Sequence, residues 1–194
     1  HSRISNTLRI TTFLKDIDDE IRRRQALVKK AATDMLTGLP NRESVLDRIR
    51  ACLAEKISGS HAMLFIDLDC FKLVNDNWGH KYGDKVLIET AEKLRKLFSG
   101  NEIYGRLGGD EFLVFLKDVP SRQAVEQTAQ KIVNALPIHI AEGGQEVNVT
   151  CSIGIALSNG TSTTTEAMYE QSDKAMYQAK ELGRNQFYFY DDLI

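Results

Sequence analysis

The stretch Glu102-Ile-Tyr-Gly-Arg-Leu-Gly-Gly-Asp-Glu-Phe-Leu-Val-Phe-Leu116 decides the fold of this chain. It places two strand-like runs, residues 102–107 and 110–116, on either side of Gly108 and Gly109. Runs this close pair as an antiparallel hairpin, because a parallel connection needs a dozen residues or more. Glycine supplies the positive φ that a tight turn of this kind requires. The sheet is therefore predicted to be at least partly antiparallel.

Outside the hairpin, helix-like and strand-like segments alternate along the chain. Apolar spacing predicts helices over 41–56, 82–98, 122–135 and 164–182, strands over 62–67, 149–157 and 186–190, and a short strand pair over 138–149. The residues between the first of these strands and the second helix are predicted to form a polar loop. This order predicts an α/β fold of the α+β plait kind, a ferredoxin-like or palm-like mixed sheet flanked by helices, and not a doubly wound sheet.

Residues 1–33 contain no Gly or Pro and are predicted to form an N-terminal helical stalk. Apolar residues recur there at alternating spacings of four and three, which is the seam of a coiled coil, although an arginine interrupts it. The alternative is a helix that packs on its own domain. The seam consists of Ile10, Leu14, Ile17, Ile21, Arg24, Val28 and Ala31.

The composition excludes several classes of protein. The 194 residues are 42% hydrophobic, and 25 Lys+Arg against 27 Asp+Glu give a net charge of −2, which argues against a nucleic-acid partner. No apolar run reaches the roughly 18 residues that a membrane span needs. Three cysteines without metal-ligand spacing favour a reducing interior. We expect a cytoplasmic location, either free or as the cytoplasmic part of a membrane-anchored sensor.

Carboxylates gather at the end of the strand over 62–67 and in the hairpin turn. Asp67 and Asp69 are two residues apart, so strand alternation places them on one face, and Asp110 follows the two glycines. In a plait the strand and the hairpin lie side by side, and the carboxylates could share hard cations such as Mg²⁺. Two such metals are the usual means of moving a nucleotidyl group. On spacing alone, hairpin chemistry and a strand-end charge explain these residues equally well.

The predicted loop and the last helix add polar groups near this acidic end. Asn75 and Asp84 have the donors and acceptors to recognise a guanine edge, although Asp84 could equally cap the next helix. Lys72 could neutralise a phosphate or simply be solvated. Lys180 and Arg184 could clamp phosphates, but basic residues also favour helix C-termini. The thiol of Cys70 is expected to pack.

Taken together, these segments resemble the GGDEF family of diguanylate cyclases over residues 34–190, about four-fifths of the chain. Several signatures in the right order are far more specific than the short acidic turn alone. They are Asp34-x-Leu-Thr-Gly-Leu-Pro-Asn-Arg42, Ile66-Asp67-Leu68-Asp69-x-Phe71-Lys72-x-x-Asn75-Asp76, Gly79-His80-x-x-Gly83-Asp84, Arg106-x-Gly-Gly-Asp-Glu-Phe112, Ser152-Ile153-Gly154, Ala175-Met176-Tyr177-x-Ala179-Lys180 and Gly183-Arg184-Asn185.

The resemblance implies a reaction and its participants. Each domain would bind one GTP and two Mg²⁺ or Mn²⁺, and two domains would face each other in a homodimer. Two GTP would then condense into cyclic di-GMP with release of two pyrophosphates. The alternative is a catalytically weak GTP-binding domain that controls a fused partner. Because the chain opens on His1, we expect an upstream sensor outside it, with a downstream domain as a further expectation.

The resemblance also implies a role for each matching residue. The metal ligands would be Asp67, Asp110 and the Leu68 carbonyl. The catalytic residues would be Asp110 as proton acceptor, Glu111 as a supporting carboxylate and Lys72 on the transition state. The substrate contacts would come from Asn75, His80, Asp84, Lys180, Arg184, Gly108 and Gly109. The predicted domains are a stalk over 1–33, a GGDEF domain over 34–190 and a tail over 191–194.

One departure from the family concerns product inhibition. Many members carry an Arg-x-x-Asp motif nine residues before the glycine pair, but here that window contains Ser99-Gly100-Asn101-Glu102. Serine cannot replace the bidentate contacts of arginine. We therefore expect weak or absent cyclic di-GMP binding at this position.

Overall fold

The structure is a computed structural model that describes Ile17, Glu20 and residues 32–55, 59–158 and 163–193, without the side chains of Glu142 and Gln145. Ile17 and Glu20 are helical. The rest of the predicted coiled-coil seam lies outside the described residues, so the stalk stays a prediction.

Helices and strands alternate much as the sequence predicts. The helices are α1 (Arg42–Ala54), α2 (Phe71–Trp78), α3 (His80–Leu97), α4 (Arg122–Ala135) and α5 (Thr165–Glu181), and a 3-10 helix covers Tyr190–Leu193. The strands are β1 (Ala62–Leu68), β2 (Ile103–Gly108), β3 (Glu111–Leu116), β4 (Ile138–Glu142), β5 (Gln145–Val149), β6 (Cys151–Leu157) and β7 (Gln186–Phe189).

The main sheet is mixed, as predicted. Its order is β2-β3-β1-β6-β7, with β1 antiparallel to both β3 and β6, and with β7 parallel to β6. The strand pair β4-β5 forms a separate two-stranded sheet. All seven residues of β1 are buried, which explains its continuous apolar run, because helices cover both faces of a central strand. The prediction of an α/β plait is confirmed.

The predicted polar loop after β1 is wrong, because residues 71–78 form helix α2. Phe71 and Val74 lie three residues apart and are both buried, so one face of this short helix packs on the core. Cys70 before it has a φ of 62° and Gly79 after it has a φ of 81°. The positive φ of these two residues separates α2 from β1 and from α3. Helix α3 begins at His80 rather than at the predicted residue 82.

The turn of the β2-β3 hairpin also differs from the prediction by one residue. β2 extends through Gly108 and β3 begins at Glu111, so the two turn residues are Gly109 and Asp110 rather than the glycine pair. Gly109 has a φ of 51°, which a residue with a Cβ seldom adopts. Asp110 therefore projects from a turn and not from a strand.

Helix α5 packs against β6 at one close contact. A Cβ on Gly154 would overlap the backbone of Ser172 and Met176. The absence of a side chain at this position lets the helix backbone reach the sheet. This contact determines how near the last turn of α5 lies to the end of β1.

Candidate functional site

The end of β1 and the hairpin turn are neighbours, as the sequence predicts. Asp67 pairs in register with Glu111, and the Leu68 amide donates a hydrogen bond of 3.2 Å to the Asp110 carbonyl. A cavity of about 440 Å³ opens at this edge of the sheet. Half of the predicted site residues line it, namely Asp67, Leu68, Lys72, Asp110, Lys180 and Arg184.

Asp67 is the buried charge of this cavity. Only 7% of the residue is exposed, and its carboxylate lies 2.7 Å from the Lys180 ammonium. Burial raises the pKa of Asp67 to about 6, and the neighbouring Asp110 and Asp69 carboxylates add to this effect, although Lys180 opposes it. A carboxylate in such surroundings is stabilised by a nearby cation.

Asp69 lines the same cavity as Asp67, as strand alternation predicts, but hydrogen bonds occupy its oxygens. The hydroxyls of Thr150 and Ser152 each donate to it over 2.7 Å, and the Asn185 amide donates over 3.1 Å. Asp69 thereby ties the turn after α5, which carries Arg184, to the end of β1. Nothing in the sequence indicated this role, because the three donors lie 81 to 116 residues away.

Arg106 anchors the hairpin turn that carries Asp110. Its guanidinium donates to the Gly109 carbonyl over 2.7 and 3.0 Å and to both Asp34 oxygens over 3.0 Å. The Arg106 side chain is 12% exposed and that of Asp34 is 22% exposed. The turn that holds Asp110 is thus fastened to the segment before α1. Sequence reasoning placed both residues in matching segments but assigned them no role.

The charges of the hairpin turn repel one another. Burial raises the pKa of Glu111, and the neighbouring Asp110 and Asp173 carboxylates raise it further. The carboxyl of Glu111 is therefore harder to ionise than an exposed one. Gly108 lines a neighbouring cavity of about 450 Å³ instead of the acidic one.

The predicted guanine readers lie on neighbouring helices, Asn75 on α2 and Asp84 on α3, and neither lines the acidic cavity. A Cβ on Gly83 would overlap the Asn75 side-chain oxygen, so Asn75 lies directly against the residue before Asp84. Asp84 is exposed and is the fifth residue of α3. The alternative that Asp84 caps this helix is wrong, because Gly79 occupies the N-cap position. His80 is exposed at the first position of α3.

Cys70 is exposed and lines the acidic cavity, so the expectation that its thiol packs is wrong. The cause is its left-handed φ of 62°, with which the chain leaves β1 and enters α2. Cys52 and Cys151 are free thiols as well. Burial raises the pKa of Cys151 well above its usual range, and the carboxylates of Asp69 and Asp67 raise it further.

Most donors around the cavity are oxygens, and the Cys70 thiol lies among them. Within residues 32–55, 59–158 and 163–193, no three His, Cys, Asp or Glu side chains converge as a metal-binding group. Four aspartates, Asp67, Asp69, Asp76 and Asp110, line the cavity together with Leu68, whose backbone carbonyl is a further donor. Oxygen donors of this kind suit Mg²⁺ or Mn²⁺ and not zinc.

Comparison with known proteins identifies the family. A family model described as diguanylate cyclase, GGDEF domain, matches residues 31–186. The chain belongs to the GGDEF family. The crystal structure of the coiled coil and GGDEF domain of DgcB from Caulobacter crescentus, in complex with c-di-GMP, is similar with a TM-score of 0.85. It covers 95% of this chain and 99% of that one at 24% identity, which shows the shared fold.

The curated relatives include both synthesising and degrading proteins. The cyclic di-GMP phosphodiesterase PdeR of Escherichia coli is 38% identical over 172 residues, which are 89% of this chain and 26% of that protein. The diguanylate cyclase DgcP of Pseudomonas aeruginosa is 38% identical over 162 residues, 81% of this chain and 24% of that protein. The chain thus spans about a quarter of the length of these relatives. None of the described helices has the length and apolarity to cross a membrane.

Replacement of Asp34 by Asn is expected to destabilise the domain at neutral pH by about 1–3 kcal/mol, because a buried charged hydrogen-bond network is lost. Burial opposes ionisation of Asp34, but hydrogen bonds from Thr37 and the pair with Arg106 outweigh it and lower its pKa below 3.8. A lowered pKa stabilises the fold above pH 3.8 and ceases to do so as the pH falls through the folded value. Urea unfolding at pH 7 and below pH 3.8 measures this difference.

The matched control is Asp47→Asn, which breaks an exposed pair with Arg50. This variant is expected to lower the free energy of unfolding by less than about 0.5 kcal/mol at either pH. Equal stabilities of the two variants at pH 7 would contradict the anchoring role of Asp34.

Proposed function

We propose that this domain is a diguanylate cyclase, which condenses two GTP into cyclic di-GMP and two pyrophosphates. One observation carries the proposal. The buried Asp67 and the turn residue Asp110 line one cavity with three cationic side chains, Lys72, Lys180 and Arg184. Carboxylates that can hold divalent cations, facing cations that can hold phosphates, are the combination that nucleotidyl transfer requires.

The residues present fit divalent cations. Asp67 is buried beside the carboxylate of Asp110, and two such carboxylates repel each other unless a cation lies between them. We assign Asp67, Asp110 and the Leu68 carbonyl as ligands of two Mg²⁺ or Mn²⁺. When bound, these ions would neutralise the triphosphate and make the attacking hydroxyl more acidic.

The cationic and polar side chains are assigned to the substrate. Lys180 and Arg184, held at the end of α5, bind the triphosphate, and Lys72 on α2 neutralises charge that develops at the α-phosphate. The Asn75 amide donates to the guanine edge and accepts from it, and the Asp84 carboxylate accepts from it, with His80 as a further contact. An added Cβ on Gly108 or Gly109 meets no atom within 4 Å, so the turn leaves room for a phosphate beside its backbone.

The chemistry needs two copies of the domain. The 3′-hydroxyl of one GTP attacks the α-phosphorus of the other, the bond to the β-phosphate oxygen breaks, and pyrophosphate leaves. Asp110 accepts the proton of the hydroxyl, and Glu111 supports it. The same step with the roles exchanged closes the ring. Because each cavity is assigned one GTP, the enzyme would act as a homodimer, which the predicted stalk over 1–33 would favour by raising the effective concentration.

The proposed domain boundaries follow from this organisation. Residues 34–190 form the catalytic unit between the stalk and a tail over 191–194. The described part of the tail belongs to the 3-10 helix, where Asp192 pairs with Arg122 of α4. We place the domain in the cytoplasm, downstream of a sensor, since GTP is its substrate.

A second candidate is a GTP-binding domain of weak activity that regulates a fused partner. The observation in its favour is the match to a quarter of the phosphodiesterase PdeR, a protein much longer than this chain. Against it stand the side chains of the cavity, because the metal ligands and the phosphate-binding cations that the reaction is assigned all line it.

Incubation of the chain with GTP and Mg²⁺ is expected to give cyclic di-GMP at a rate that rises faster than linearly with protein concentration. Asp110→Asn is expected to lower the rate by a factor of about 100 or more, because it removes the charge and the proton acceptor. Chromatography with mass spectrometry identifies the product. Asp191→Asn, an exposed change on the 3-10 helix, is the matched control and should retain full activity.

Unchanged activity of Asp110→Asn would contradict the proposed mechanism. A chain that binds GTP but forms no product, even when dimerised by a fused coiled coil, would favour the regulatory domain instead.

Cyclic di-GMP is expected to bind weakly or not at all at the window over Ser99–Glu102. The Glu102 carboxylate accepts a hydrogen bond of 3.0 Å from the Gly100 amide, so the window presents an acidic group and no arginine. Calorimetric titration of cyclic di-GMP into Asp110→Asn measures this site without turnover. A tight site in that variant, lost in Glu102→Gln, would contradict the prediction.

A further inference from the structure

The Lys180 ammonium pairs directly with Asp67, the carboxylate that the proposed function assigns to a divalent cation. Its ammonium lies 2.7 Å from one oxygen of Asp67, whose side chain is 10% exposed, whereas the Lys180 side chain is 28% exposed. This is the separation of a direct ion pair. An ammonium and a metal ion compete for that oxygen, because their positive charges repel each other at such a distance.

The backbone of Lys180 is fixed, but its side chain is not. Helix α5 is held against β6 at Gly154, and the turn after it is held by the Asn185 amide on Asp69 and by the Arg184 amide on the Ala179 carbonyl. The four-carbon stem of lysine rotates freely and carries a compact charge. The ammonium can therefore move from Asp67 to another anion without any shift of the helix.

A triphosphate would be the anion that draws Lys180 away. Lys180 and Arg184 lie four residues apart and line the same cavity as Asp67 and Asp110. An anion with several negative charges attracts the ammonium more strongly than one carboxylate does. The carboxylate that Lys180 leaves then lacks a counter-charge, and a divalent cation can supply it.

We propose that Lys180 and the divalent cation compete for Asp67, so that the metal gains this carboxylate only when Lys180 turns to the triphosphate. The proposal rests on the proposed function, since it assumes that Asp67 is a metal ligand. Its consequence is that the domain binds metal poorly by itself and takes up metal and nucleotide together. By linkage, each of the two ligands strengthens the binding of the other.

The proposal and a simple phosphate-binding role predict different effects of removing Lys180 on the affinity for metal alone. If Lys180 only bound phosphate, its removal would weaken nucleotide binding and leave the binding of metal alone unchanged. Under competition, its removal weakens nucleotide binding but strengthens the binding of metal alone. Weaker nucleotide binding together with tighter metal binding therefore identifies the exchange of Lys180 for a metal ion at Asp67.

The experiment titrates Mn²⁺ into the full chain without nucleotide and follows the free Mn²⁺ by electron paramagnetic resonance. Lys180→Gln is expected to bind Mn²⁺ roughly tenfold more tightly than the unaltered chain, because the competing charge is gone. Lys180→Arg retains the charge and should bind as weakly as the unaltered chain. Lys174→Gln is the matched control, since it removes one positive charge from an exposed position of α5 that pairs with Glu170.

A second titration is made with a non-reacting GTP analogue present. The factor by which the analogue raises the Mn²⁺ affinity is expected to be several times larger in the unaltered chain than in Lys180→Gln. The reason is that the nucleotide removes the competing ammonium only where one exists.

Two failures can be told apart by adding Asp67→Asn. If Lys180→Gln binds Mn²⁺ no more tightly than the unaltered chain, while Asp67→Asn still abolishes binding in the presence of the analogue, the exchange is wrong and the metal site stands. If Asp67→Asn leaves the Mn²⁺ affinity unchanged under both conditions, Asp67 is not a ligand, and the metal site of the proposed function is wrong.

Discussion

A buried carboxylate at the end of a fully buried strand is the constraint on which the rest of this domain depends. The apolar residues of β1 carry Asp67 to the edge of the sheet, where little water remains to stabilise its charge. The hairpin adds Asp110 beside it. The Lys180 ammonium offsets the repulsion between these carboxylates by pairing with Asp67. Because the two carboxylates need a positive charge beside them, we propose a metal-dependent transfer of a nucleotidyl group.

Two polar networks hold the pieces of the cavity in place, and both join distant parts of the chain. Asp69 accepts hydrogen bonds from β6 and from the turn after α5, and these bonds position Lys180 and Arg184. Arg106 joins the hairpin turn to Asp34, which positions the acidic turn. These residues do not themselves need to touch a substrate. They explain why a cavity built from three separate stretches of the chain can present a defined arrangement of charges.

Local patterns in the sequence predicted most of the fold, whereas long-range pairings escaped prediction. The glycine pair predicted the hairpin, and apolar periodicity predicted the remaining strands and, among the numbered helices α1 to α5, all but one. Helix α2 was missed because it has only eight residues between two left-handed ones, Cys70 and Gly79. The bond between Asp69 and Asn185 spans 116 residues, and no periodicity encodes such a contact. The side chains of the candidate site were found through ordered family signatures rather than through spacing, which left their roles open.

Anomalous diffraction from crystals grown with Mn²⁺ and a non-reacting GTP analogue tests the central claim most directly. The account predicts Mn²⁺ peaks between the carboxylates of Asp67 and Asp110, with the triphosphate on Lys180 and Arg184. Manganese or nucleotide bound away from Asp67, with the pair between Asp67 and Lys180 intact, would contradict it.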